Sequence, residues 1–255
     1  MLWNTGIDAP VLTQTVDSEY TVAAAVVVLG FVVVHLTAAR WTVSRAEHRR
    51  TLLSAGAGAS VAYVFVLILP EISETAAVVA ELGRGLFLAE QLVFLVALVG
   101  FVSFYGLEVA VSHRRGADVE SSRSVYRAHL FVFVAYSGLI GYLLFHQERA
   151  GLANLLFYGL AMALHFGITD YGFHRHYGTR FDTNGRVILA AGTVVGAVIG
   201  FATRLDTFRV AMLFAFLAGA IVFNVLKEEL PEVTESRFTA FAAGALSFTL
   251  VLVFA

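Results

Sequence analysis

The chain has 255 residues, 58% of them hydrophobic and 14% charged, with a formal net charge of −2. A soluble domain carries about 25% charged residues, so this balance excludes an ordinary soluble fold. The small net charge and the lack of a basic cluster exclude a nucleic-acid partner, and the lack of cysteine excludes disulfides, thiolate metal sites and thiol nucleophiles.

Residues 1–19 carry Asp8, Asp17 and Glu19 and no Lys or Arg. They lack the basic start of a cleaved signal peptide, so the first apolar stretch, 20–39, is expected to remain as a span. A bilayer core of about 30 Å needs about 20 apolar residues in a helix. Seven further stretches of that kind follow at 52–70, 85–107, 128–145, 152–173, 187–203, 208–226 and 238–255. Short connectors separate them and leave no room for a soluble domain. The expectation is one integral membrane domain over 1–255, all-α and polytopic, with eight transmembrane helices. Any function must then sit inside the bundle or at its mouths.

Positive charge alternates between connectors. With the N-terminus outside, the cytoplasmic connectors hold thirteen basic residues, among them Arg40, Arg45, Arg114, Arg127, Arg175, Arg186, Lys227 and Arg237. The outer connectors hold four, Arg84, Arg149, Arg204 and Arg209. The positive-inside rule selects this orientation. Eight spans place the C-terminus outside as well, in a multi-pass protein of the cell membrane.

Two segments read alike. Gly58 to Pro70-Glu71 and Gly219 to Pro231-Glu232 each open on small residues and close on Leu-Pro-Glu, with twelve residues from Gly to Pro. In the orientation above, the second span ends outside and the seventh ends inside, so the copies run in opposite directions. Inverted repeats recur in secondary transporters, where two halves rock around a midplane site.

With these features the chain resembles the ZIP family of divalent metal transporters. The resemblance implies eight spans, both termini outside and a 3+2+3 inverted-repeat bundle. The repeat would be 20–112 and 187–255, with central helices in 128–173. The family's fourth and fifth spans carry His-Asn-x-Pro-Glu-Gly-like and His-Glu-x-Pro-Glu-like metal motifs. Here the fourth span reads Tyr136-Ser-Gly-Leu-Ile-Gly141, where only the last Gly agrees. The fifth reads His165-Phe-Gly-Ile-Thr-Asp170. His165 matches the first ligand, Phe166 and Thr169 stand where carboxylates are expected, and Asp170 is one position late. Both family prolines are missing, which predicts straighter helices there.

A transition-metal site needs several N, O or S donors converging. His165 and Thr169 share a helix face. His165 and Asp170 lie about 140° apart around it, so other spans must contribute. Intramembrane ionisable groups face the bundle interior and are functional candidates by default. Besides His165 and Asp170, these are His35 and Glu90, with the polar Asn224; the last three read first as helix–helix contacts. His174-Arg-His-Tyr177 reads as a headgroup-level cluster or the inner exit of a pathway through His165. Gly192, Gly196 and Gly200 form a small-residue stripe for close packing, against another span or a second copy in a homodimer. No motif for an enzyme or a nucleotide is present.

The function expected is ZIP-like transport of a divalent cation of the zinc, iron or manganese class. His165 would be the main ligand, assisted by Thr169 or Asp170. The partners would be the lipid bilayer and that cation as substrate, with no resident cofactor. The alternative is a ZIP-fold protein without transport, acting as scaffold, regulator or partner subunit. A third reading is electron transfer through haem held by two of His35, His129 and His165.

Overall fold

A computed structural model describes residues 18–38, 46–82, 88–113, 119–146, 151–230 and 237–254. Among these residues there are helices and no strands. The helices are α1 (Ser18–Thr37), α2 (Ala46–Tyr63), α3 (Leu69–Leu82), α4 (Ala89–His113), α5 (Val119–Leu143), α6 (Leu152–Tyr177), α7 (Arg186–Ala202), α8 (Thr207–Asn224) and α9 (Phe238–Phe254). Three π turns interrupt or join them, at Val64–Ile68, Phe181–Gly185 and Val225–Glu229.

Among the described residues, six helical stretches are long and apolar enough to cross a membrane: Glu19–Thr37, Arg50–Leu82, Ala89–His113, Leu152–Tyr177, Phe181–Ala202 and Thr207–Lys227. The last, Phe238–Val253, is apolar but shorter. Their outer faces are apolar: Val22, Val26, Leu29 and Val33 on α1, and Leu95, Leu98, Val99 and Val102 on α4, are exposed. Apolar rows of this extent are rare on soluble proteins. Together they make this a polytopic helical membrane protein.

The second span departs from expectation. Its helix does not end near Pro70 but continues through the π turn and α3 to Leu82. Proline has no N–H and clashes with the carbonyl four residues back in an α-helix. Here the backbone widens one turn earlier, with Leu69 N–H reaching the Val64 carbonyl, so Pro70 is accommodated inside the helix. The π turn at Val225–Glu229 ends differently, and Pro231 and Glu232 lie outside the described residues. Leu230, before Pro231, is extended, with φ −69° and ψ 120°, as the residue before proline prefers. By contrast α5 and α6 run without a π turn inside them.

Helices pack in pairs: α2 on α9, α4 on α8, α5 on α7 and α1 on α6, with α1 also on α7. Small residues set the first three contacts. A Cβ at Gly58 would collide with the Phe241 carbonyl, and one at Gly244 with the Ala55 carbonyl. The α4–α8 pair repeats the arrangement, Gly219 against Ala97 and Gly100 against Phe216. Gly192, Gly196 and Gly200 of α7 lie against Val134, Gly138 and Tyr142 of α5. The stripe of the sixth span is therefore spent inside the chain. Successive contacts advance in the same sense along both members, so these two helices run parallel. The same holds for α2 and α9, where Arg237 N–H donates to Ser54 Oγ at 3.0 Å one turn before the Gly58–Phe241 contact.

Candidate functional site

Among the described residues the interior is apolar apart from a few buried polar side chains: His35, Ser54, Ser60, Thr75, Ser137, His165, Thr169, Asp170, Thr193 and Asn224. Most of those with interhelical partners gather around α6.

His35 comes from the last turn of α1, Asp170 from α6 and Thr193 from α7. Their helices meet because α1 lies on both others. His35 Nδ1 stands 2.7 Å from Asp170 Oδ2, with both residues fully buried. His35 Nε2 stands 3.2 Å from Thr193 Oγ1. Phe166 covers the imidazole, ring centroids 4.4 Å apart, and Phe31 packs edge-on against Phe166. Asp170 Oδ1 is buried with no hydrogen-bond partner among the described residues.

His165, five residues earlier on α6, faces elsewhere. Its Nε2 is 2.7 Å from the Tyr136 hydroxyl of α5. It also lines a cavity with Ser60 and Tyr63 of α2, Met162 of α6, Ile221 and Val225 at the end of α8, and Phe248 of α9. The space is about that of one water molecule. The Tyr63 hydroxyl, buried beside this cavity, has no partner among the described residues.

The three expected ligands are thus not gathered at one point. His165 lines the cavity, and neither Thr169 nor Asp170 is among its lining residues. Asp170 is engaged by His35. Thr169 is buried with an unpartnered hydroxyl. Among the described residues no three His, Cys, Asp or Glu side chains converge as a metal site would require. Glu90 is exposed at the start of α4, and Asn224 is buried with an unpartnered Nδ2. His129 bonds the Tyr177 hydroxyl at 2.7 Å. Each of the three histidines considered for haem therefore already spends a ring nitrogen on another residue.

At the end of α6, His174 Nδ1 lies 2.8 Å from Asp182 Oδ1, both about one-third exposed. Arg186 at the start of α7 donates from Nη1 to the Leu36 carbonyl at 3.2 Å. His174 is one turn beyond Asp170 on the same face of α6, and Leu36 is the residue next to His35.

Sequence reasoning gave His35 a structural role and did not connect it with Asp170, nor did it single out Tyr63 or Thr193. One signal was available. In the deduced topology His35 and Asp170 lie at similar depth on two spans that run in the same direction. Compared with protein-family models, with curated proteins and with solved structures, the chain matches none.

Proposed function

We propose that this is a ZIP-like membrane transporter of a divalent cation, built as a 3+2+3 inverted repeat of eight spans. The observation that carries the reading is the correspondence between the two Leu-Pro-Glu segments. Gly58 and Gly219 each precede a π turn by six residues. Each also presses on a carbonyl of a partner helix, in α9 for the first and α4 for the second. With α2 and α3 counted as one, the described helices number eight. Exchanging spans one with six, two with seven, three with eight and four with five turns the α2–α9 pair into α8–α4. It turns α5–α7 into α6–α1. All four pairings are present. Repeats with opposed direction suit alternating access around a central site, and π turns recur at functional sites. Both termini would lie outside the cell membrane.

The cargo would be met in the cavity by His165 and by the oxygens of Ser60 and Tyr63, which line the cavity with it. The test is uptake of zinc, iron, manganese and cobalt into liposomes holding the purified protein. Saturable uptake that is lost in His165→Ala supports the reading. Equal uptake by the variant removes His165 from it.

The second reading, a ZIP-fold protein without transport, is favoured by one observation: no three His, Cys, Asp or Glu side chains converge among the described residues. It expects no uptake of any of the four metals above empty liposomes.

A further inference from the structure

The seam between α5 and α7 closes on a histidine. Gly192, Gly196 and Gly200 meet Val134, Gly138 and Tyr142 at intervals of four residues on both helices. The next position along α5 is His146, half-buried just past the end of that helix. Its ring reaches two backbone carbonyls. Nδ1 stands 3.2 Å from the Tyr142 carbonyl, and Nε2 stands 3.1 Å from the carbonyl of Thr203, the residue after α7. A carbonyl only accepts, and a neutral imidazole has one N–H. Both contacts are hydrogen bonds only when both ring nitrogens carry protons.

Among the described residues no donor serves a neutral ring in this position. The Tyr142 hydroxyl is 3.5 Å from Nε2. The two rings stack at 6° with centroids 4.4 Å apart, so the hydroxyl lies over the imidazole and outside the plane of its lone pair. Thr203 Oγ1 donates its single proton to the Ile199 carbonyl at 2.7 Å and so accepts from the Tyr142 hydroxyl at 3.3 Å. The setting also favours a cation, because the parallel helices α5 and α7 both bring the negative ends of their dipoles to the ring. We propose that His146 is a proton-binding clasp that ties the C-terminal ends of α5 and α7. Charged, it donates to both carbonyls. Neutral, it keeps one bond and turns a lone pair on the other carbonyl, so the tie weakens while the glycine seam below it stays packed.

The other titratable groups at this end of the bundle have partners of their own or face solvent. Tyr20 of α1 donates to the Leu144 carbonyl at 3.0 Å, and Tyr158 of α6 donates to the Ile140 carbonyl at 2.9 Å. Past α7, Arg204 is exposed, and Asp206 is paired with Arg209 of α8 at 3.0 Å. Glu148 and Arg149 lie outside the described residues. The clasp therefore answers to protons at the face where α5 and α7 end, the outer one in the deduced topology, near neutral pH where histidine titrates. The proton adds a bond in the folded protein that the unfolded chain does not offer. Its stabilising effect is full at acidic pH and fades as pH rises. The clasp needs no metal, so it stands or falls apart from the cargo reading.

The experiment compares melting temperatures of the purified protein in detergent from about pH 5 to 9, a range that brackets histidine titration. Other groups titrate in native protein and variant alike, so the gap between the two is what is read. His146→Phe keeps the stacking on Tyr142 and loses both bonds. It should melt below the native protein, with the gap widest at acidic pH and narrowing as pH rises. His146→Gln keeps one N–H donor but cannot titrate, and its gap should narrow in the same direction; it serves alone if His146→Phe does not fold. Tyr142→Phe retains the carbonyl and the stacked ring, so its melting temperature should follow pH as the native one does. A gap that is constant with pH, or that widens toward alkaline pH, overturns the proposal. So does a Tyr142→Phe profile that has lost the native dependence, because the hydroxyl and not the second carbonyl would then be the partner of Nε2.

Discussion

Gly58 and Gly219, 161 positions apart, occupy the same place in two helices: six residues before a π turn and against a carbonyl of a neighbouring helix. Glycine lets backbones approach closely, which is how helices associate where no hydrophobic force drives them together.

A side chain at either position has nowhere to go, because what it meets is backbone and not the flexible end of a side chain. Gly58→Leu and Gly219→Leu should each cost about 1–3 kcal/mol or more, the range for overpacking, and lower the melting temperature in detergent. Gly106, exposed with nothing within 4 Å of its would-be Cβ, is the control, and Gly106→Leu should melt with the native protein. Equal melting of all three variants would show that the close contacts do not hold the helices.

Pro70 offers a sharper test of what maintains the π turn. Reverting it to an α turn would rotate all that follows by about 100°. Ile72, Thr75, Ala76 and Val79, now buried on α3, would then turn outward. Packing, and not the missing N–H alone, therefore holds the turn. Pro70→Ala should fold normally, with stability within about 0.5 kcal/mol of native as for substitutions at exposed positions. A large drop in melting temperature would show that the proline itself is needed.

Much of the fold was legible because lipid imposes a simple rule: apolar residues for one membrane thickness, then a charged connector. The positions of α1, α6, α7 and α8 followed from that rule. The end of the second span did not. Pro70 reads as a stop in any local view, and only the apolar face of α3 and the π turn explain its tolerance. The site was harder for a related reason. The periodicity of α6 shows that His165 and Asp170 point apart, but not what each meets. His35 is 135 residues from Asp170 and Tyr136 is 29 from His165, and no local pattern encodes those contacts.

The alternation of spans predicts where introduced cysteines react. Asp182, next to the end of α6, and Asp206, capping α8 through Arg209 N–H at 3.0 Å, are separated by one helix, α7. They should lie on opposite sides of the membrane. In intact cells a membrane-impermeant maleimide should label Asp206→Cys and spare Asp182→Cys until the membrane is permeabilised. The reverse pattern would invert the orientation, and labelling of both in intact cells would remove α7 as a span.

Two tyrosines beside His165 should respond in opposite ways to loss of their hydroxyls. Tyr136 bonds Nε2 of His165 across helices, and such bonds in membranes are worth about 1 kcal/mol. Tyr136→Phe should lose about that much stability while releasing Nε2. If Nε2 is the atom that takes the cation, metal binding by calorimetry should tighten. The Tyr63 hydroxyl is buried without a partner among the described residues, and removing an unsatisfied polar group is neutral or stabilising. Tyr63→Phe should therefore melt no lower than native, yet bind metal more weakly if its oxygen is a ligand. Unchanged binding in both variants would detach the cavity from metal and leave the non-transporting reading in its place.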